Sequence, residues 1–142
     1  MSIRANILEK ILITGHSGFL GQSLIKSLKQ KYELIGISRK SYDSDIVNIQ
    51  KDIREINLND IPENISCIIH LAGLTDVYYC QENSSKCFDV NVGGTHNILE
   101  IAKKRKSKFI FISSSHIYGN PIKLPILETQ EPKPISNYAY SK

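Results

Sequence analysis

Thr14-Gly15-His16-Ser17-Gly18-Phe19-Leu20-Gly21 joins a short apolar run, Ile11 to Thr14, to a stretch in which Leu20, Leu24, Ile25 and Leu28 recur at helical spacing. This is the junction of a buried strand and an amphipathic helix, with three glycines in the turn. Gly15 permits a tight turn, and Gly18 offers bare backbone to an approaching ligand. Gly21 lets the helix lie close to the strand. The first amides of such a helix have no partner within it and carry positive potential, so the turn is built to hold a diphosphate. Gly15, Ser17, Gly18, Phe19, Leu20 and Gly21 are the candidate contacts. His16 is expected to be an exposed turn residue.

Outward from this turn, strand-sized apolar runs alternate with longer polar or amphipathic segments. Tyr32 to Ser38 reads as a second strand, Ile46 to Ile53 as a weaker third, Ser66 to Leu71 as a fourth and Lys108 to Ser113 as a fifth. Asn83 to Lys104 reads as one long helix with Phe88, Val92, Thr95, Ile98, Leu99 and Ala102 on its buried stripe. Strands apolar on both faces and separated by helices imply a parallel sheet covered on both sides. With right-handed crossovers, the expected fold is α/β: a Rossmann-type doubly wound sheet of about five strands. Gly119 to Ile135 carries four prolines and reads as a loop. Ser136 or Asn137 then caps a final helical start.

In such sheets the tip of the second strand reads the ribose of a dinucleotide, roughly 20 residues past the glycine turn. An acid there favours NAD. Ser38-Arg39-Lys40 stands there instead, and Arg39 is suited to a 2′-phosphate. The expected cofactor is NADP or NAD, with NADP favoured.

The whole chain, residues 1–142, is expected to form one domain. Its net charge of +4 is too small to imply a polyanionic partner. Lys103-Lys104-Arg105-Lys106 reads as a solvated helix end, where cations suit the helix dipole. No nucleic-acid or membrane partner is expected. No apolar run reaches the length of a membrane span, and Met1 to Glu9 lacks a signal-peptide core. Cys67, Cys80 and Cys87 match no zinc spacing, so no metal is expected; they read as reduced thiols of a cytoplasmic protein.

Further motifs follow in order: Asp52-Ile53 after the third strand, His70-Leu71-Ala72-Gly73 after the fourth, and Asn91-Val92-x-Gly94-Thr95 on the long helix. Ser113-Ser114-Ser115-His116-Ile117-Tyr118-Gly119 and Tyr138-x-x-x-Lys142 complete the series. In this order they resemble the extended short-chain dehydrogenase/reductase family, in its epimerase/dehydratase branch and most like UDP-glucose 4-epimerases. The resemblance implies strand order 3-2-1-4-5. It implies that Asp52 and Ile53 contact adenine, and that Leu71, Ala72, Gly73 and Asn91 lie along the cofactor. It makes Ser114, Tyr138 and Lys142 the catalytic residues and a nucleotide sugar the substrate. Dehydratases of this family tend to carry Thr-Asp-Glu where Ser114-Ser115-His116 stands, which favours epimerase or ketoreductase chemistry over dehydration.

The side chains fit that chemistry. A phenol is a poor base at neutral pH, and a nearby ammonium stabilises its phenolate. Tyr138 and Lys142 share a helical face at i, i+4. His70 and His116 read as hydrogen-bonded structural residues, and Asn91 equally as a cofactor contact or a buried hydrogen-bonding group. Relatives in the family continue into a sugar-binding region, so the chain reads as truncated at the Tyr-x-x-x-Lys motif. The 142-residue polypeptide alone is therefore expected to turn over slowly or not at all, or to be a non-catalytic dinucleotide-binding module. The fifth strand, apolar on both faces, is an edge in this order and invites a homo-oligomer.

Overall fold

A computed structural model describes residues 8–40 and 45–142. Five parallel strands form one sheet in the order β3-β2-β1-β4-β5: β1 Lys10–Thr14, β2 Glu33–Ser38, β3 Val47–Gln50, β4 Ile65–His70 and β5 Lys108–Phe111. The order reverses at β1, and the glycine turn leaves the sheet there. Helix α1, Phe19–Leu28, follows that turn. Helices α2 (Val77–Glu82), α3 (Ser84–Phe88) and α4 (Gly94–Arg105) follow β4, and α5, Asn137–Tyr140, comes last.

Alternation along the central strands fills two cores. Leu12, Ile35 and Ile68 point to the α4 side, where Ile98, Ile101 and Ala102 cover them. Ile11, Ile13, Leu34 and Ile69 point to the other side, against Ile25 of α1. Register puts Leu12 between Ile35 and Ile68, so one layer is continuous across three strands. That is why these runs are apolar throughout instead of alternating. At the edge, Phe109 joins the α4-side core while Ile110 and Ile112 are partly exposed.

The expected helix from Asn83 to Lys104 is present as unbroken helical backbone over residues 84–105, in which α3 runs into α4 through a wide turn of π-helix at Asp89–Gly93. Its buried face matches the expected stripe in part. Ile98 and Ala102 are buried as expected, Phe88, Val92 and Leu99 are exposed, and Cys87, Asn91, Gly94 and Ile101 also face inward. The inward face is chosen by closeness of approach: a Cβ on Gly94 would stand 2.5 Å from Ile53 Cδ1. Helix α4 ends as its basic run implies, with Lys106 in the left-handed region. Arg105 is not solvated as expected, because its guanidinium donates to the Leu58 and Ile61 carbonyls.

Two further expectations are corrected. Cys80 and Cys87 are joined by a disulfide, because the break between α2 and α3 brings their Cα atoms to 5.2 Å. Only Cys67 is a free thiol, so the argument from cysteines to a reducing compartment falls away. His16 is fully buried, since Gly36 on β2 has no side chain and leaves room for the imidazole ring. Among the described residues no helix is long and apolar enough to cross a membrane.

Candidate functional site

The glycine turn builds the first wall. Gly15 adopts φ +72°, and a Cβ there would lie 2.8 Å from the Ala72 amide nitrogen. A Cβ on Gly21 would lie 2.5 Å from His16 Cα. Both positions therefore require glycine for backbone reasons. Gly18 differs: its φ of −78° suits any residue, and it stands at the N-cap of α1. No side chain caps this helix and no acid occupies its first turn. Its unpaired amides are left for an anion. Gln22 Nε2 donates to the Ser17 carbonyl at 2.9 Å, holding the turn on the helix.

The second wall lies beyond β2 and β3. The buried Ser38 hydroxyl donates to the Lys40 carbonyl at 2.6 Å, shaping the tip on which Arg39 stands exposed. The loop after β3 carries Asp52 and Ile53 and is pinned to α4. Asn97 Nδ2 donates to both the Ile53 and Ile56 carbonyls at 2.8 Å. Asn97→Ala strands both carbonyls, so we expect a loss of about 2 kcal/mol in urea unfolding. Arg54 grips Asp52 through Nε at 2.9 Å and a terminal nitrogen at 2.8 Å, and reaches Asp89 at 2.6 Å. The Arg54 guanidinium holds the Asp52 carboxyl down to about 2, although partial burial opposes this.

The third wall is the end of β4. Thr95 donates to the Asn91 carbonyl, so its oxygen accepts from His70 Nε2 at 3.0 Å. That fixes the tautomer: Nδ1 accepts from the Thr14 hydroxyl at 2.7 Å, and the Thr14 oxygen accepts from the Ala72 amide at 3.2 Å. The imidazole lies against Phe109 and Phe111. Burial, with a smaller contribution from the Lys142 charge, pushes its pKa down from 6.5 to about 4. His70 is structural, as the sequence implies.

Asn91 stands behind this wall. Its Oδ1 accepts from the Leu74 amide at 2.7 Å, and its Nδ2 donates to the Leu74 carbonyl at 3.0 Å and to Ser141 Oγ at 2.8 Å. One amide thus ties the loop after β4 to α5. Ser136 caps α5 by accepting from the Ala139 amide. Buried Tyr138 packs against Cys80 and Cys87, with the His116 ring edge-on at 5.5 Å. Lys142 Nζ lies 4.8 Å from the centre of the Phe111 ring, and burial lowers its pKa.

These walls enclose one cleft of about 500 Å³. Gly15, Ser17, Gly18, Phe19, Leu20, Gly21, Ser38, Arg39, Asp52, Ile53, Leu71, Ala72 and Gly73 line it, together with Tyr138 and Lys142. Two candidate residues do not. Asn91 supports the wall from behind, and Ser114 caps a 3₁₀ turn, Ser115–Tyr118, by accepting from the His116 amide at 3.2 Å. Ser113 lines the cleft and donates to the Lys142 carbonyl at 3.0 Å. Sequence reading missed the lining roles of Ser113, Ile37, Lys51, Leu74, Thr75, Val90 and Ile112. For Ser113 the signal was present, as one of three consecutive serines at a strand end. For Val90 it was hidden by the π turn.

The sequence pattern of the NAD dependent epimerase/dehydratase family matches residues 11–142. A UDP-glucose 4-epimerase of Neisseria meningitidis serogroup C is 34% identical over 143 residues, covering 88% of this chain and 42% of its own. A dTDP-D-glucose 4,6-dehydratase of Dictyostelium discoideum is 33% identical over 132 residues, covering 80% of this chain and 30% of its own. Among solved structures, MoeE5 in complex with UDP-glucose and NAD superposes with a TM-score of 0.86 at 27% identity, over 93% of this chain and 45% of MoeE5. The chain thus spans less than half the length of each of these relatives.

Proposed function

Since the chain belongs to the NAD dependent epimerase/dehydratase family, we propose that its cleft binds NAD or NADP and serves hydride transfer at a carbon of a nucleotide sugar. The observation that carries this reading is a single cleft joining the open N-terminus of α1 at one end to Tyr138 and Lys142 at the other. The residues suit a dinucleotide. Bare glycine backbone and free helix amides meet a diphosphate, the Arg39 and Asp52 region meets an adenosine, and the β4 wall meets the remaining half. When bound, the nicotinamide ring supplies a hydride acceptor or donor.

The chain's own side chains handle the proton. Tyr138 takes or returns it at the sugar oxygen, and the Lys142 ammonium favours the charge left on the phenol oxygen. The family resemblance gives Ser114 the hydrogen bond to the reacting oxygen, but its oxygen caps the 3₁₀ turn outside the cleft; Ser113, which lines the cleft, fixes the end of α5 through the Lys142 carbonyl. Ser115 and His116 stand where a dehydrating acid pair is expected, which favours epimerisation. Reduction of a nucleotide keto-sugar is the second reading on the same ground. Arg39 at the cleft supports NADP, whereas MoeE5 was solved with NAD.

Titration calorimetry of the chain with NADH and NADPH tests the core of the proposal. Saturable one-to-one binding of at least one is the expected result, and no heat with either defeats it. Product analysis with UDP- or dTDP-hexoses then separates the two chemistries. An epimerase inverts its substrate without consuming added cofactor, and a reductase oxidises NAD(P)H in step with product.

A further inference from the structure

The Arg54 fork leaves the Asp52 carboxylate unusually constrained. A carboxylate offers about four lone-pair sites. Asp52 Oδ1 accepts from the Arg54 backbone amide at 3.0 Å and from its Nε at 2.9 Å, and Oδ2 accepts from the guanidinium terminus at 2.8 Å. One acceptor site is left, on Oδ2, in a residue that lines the cleft. The fork cannot drift, because its other terminal nitrogen is held by Asp89, at the start of the π turn. The loop beneath is fixed by Asn97.

We infer that Arg54 is a specificity-determining positioning residue, which makes the base end of the cleft accept 6-amino purines and reject 6-oxo purines. This rests on the reading that Asp52 faces the base of a bound dinucleotide. A single fixed acceptor pairs with an exocyclic amino group, which donates. A 6-oxo group is itself an acceptor and is repelled. A hypoxanthine base has another way to bind an acid, by turning its N1–H donor toward it, but that requires the carboxylate to rotate. The fork prevents the rotation. Freed from Arg54, Asp52 adapts to either base.

The test compares NAD with nicotinamide hypoxanthine dinucleotide, which carries a 6-oxo group and an N1–H where NAD has a 6-amino group and a bare N1, by calorimetric titration of the same chain. The unaltered chain is expected to prefer NAD at least tenfold. In Arg54→Met the ratio should fall below about threefold, through a gain for the hypoxanthine compound relative to NAD. Asp89→Ala removes the outer anchor of the fork, at a half-exposed carboxylate that also pairs with Lys86, and should move the ratio the same way by a smaller amount. It keeps the test decisive should Arg54→Met fail to fold. A simple loss of structure would weaken both ligands alike and leave the ratio unmoved. If the unaltered chain binds NAD and both variants keep its full preference, the role of Arg54 is overturned while the cofactor reading stands. If the unaltered chain binds neither dinucleotide, both are overturned.

Discussion

Gly18→Asp is expected to leave the chain at least as stable as before and to abolish dinucleotide binding. The backbone at Gly18 is ordinary for an L-residue, and the nearest obstacle to a Cβ is the Gly15 carbonyl oxygen at 3.3 Å, which needs to give by a few tenths of an ångström. Aspartate is also a favoured N-cap: its carboxylate accepts from the first free amides and suits the positive end of the helix. Stability should therefore change by no more than about 0.5 kcal/mol, in the favourable direction. The same carboxylate would occupy the amides that a diphosphate needs and place a negative charge against it. We expect NADH affinity to fall at least a hundredfold, beyond calorimetric detection, while the thermal midpoint holds. Gly15→Ala is the contrast. Its positive φ and the Ala72 backbone at 2.8 Å resist any side chain, so stability and binding should fall together. Retained binding in Gly18→Asp would show that the α1 amides hold no anion.

The second large effect is a loss of stability in mild acid, centred on His70. Its native pKa is about 4, against an ordinary value of 6.5. Between these values an unfolded chain binds the proton and the native chain does not. Stability is therefore full above 6.5 and declines as pH falls toward 4. The gap corresponds to about 3 kcal/mol. The structural reason is that Nδ1 must remain an acceptor for Thr14, and a second N–H would face that hydroxyl within an apolar wall of Phe109 and Phe111. Urea unfolding at pH 7.5 and 4.5 measures the loss. A His70→Gln chain should be weaker at pH 7.5 but lose less on acidification. Equal losses in the two chains would remove His70 from the account.

What the sequence made legible follows from how local each signal is. The strand-to-helix turn at Gly15, Gly18 and Gly21 announces itself within eight residues, and it is present together with the strand order that the family resemblance implies. The loop from Gly119, and Ser136 as a cap, were equally readable, because proline and serine act on their immediate neighbours. The errors concern distant partners. Nothing near His16 reveals that Gly36 clears a space for its ring. Part of the inward face of the long helix was misjudged because hydrophobicity favoured Phe88, Val92 and Leu99, whereas close approach to Ile53 selected Gly94 and hydrogen bonds to Leu74 and Ser141 selected Asn91. The pairing of Cys80 with Cys87 depends on the break at Asn83, and the Arg54 bridge to Asp89 on the π turn; periodicity alone discloses neither.

The burial of His16 under a bare stretch of β2 couples two positions that share no motif. Any side chain at position 36 would overlap the imidazole, so a branched residue there demands a small one at 16. In an alignment of descendants the two columns should change together, with ring and glycine inherited as a pair. Grafting this turn into another sheet would then require transplanting the second strand with it.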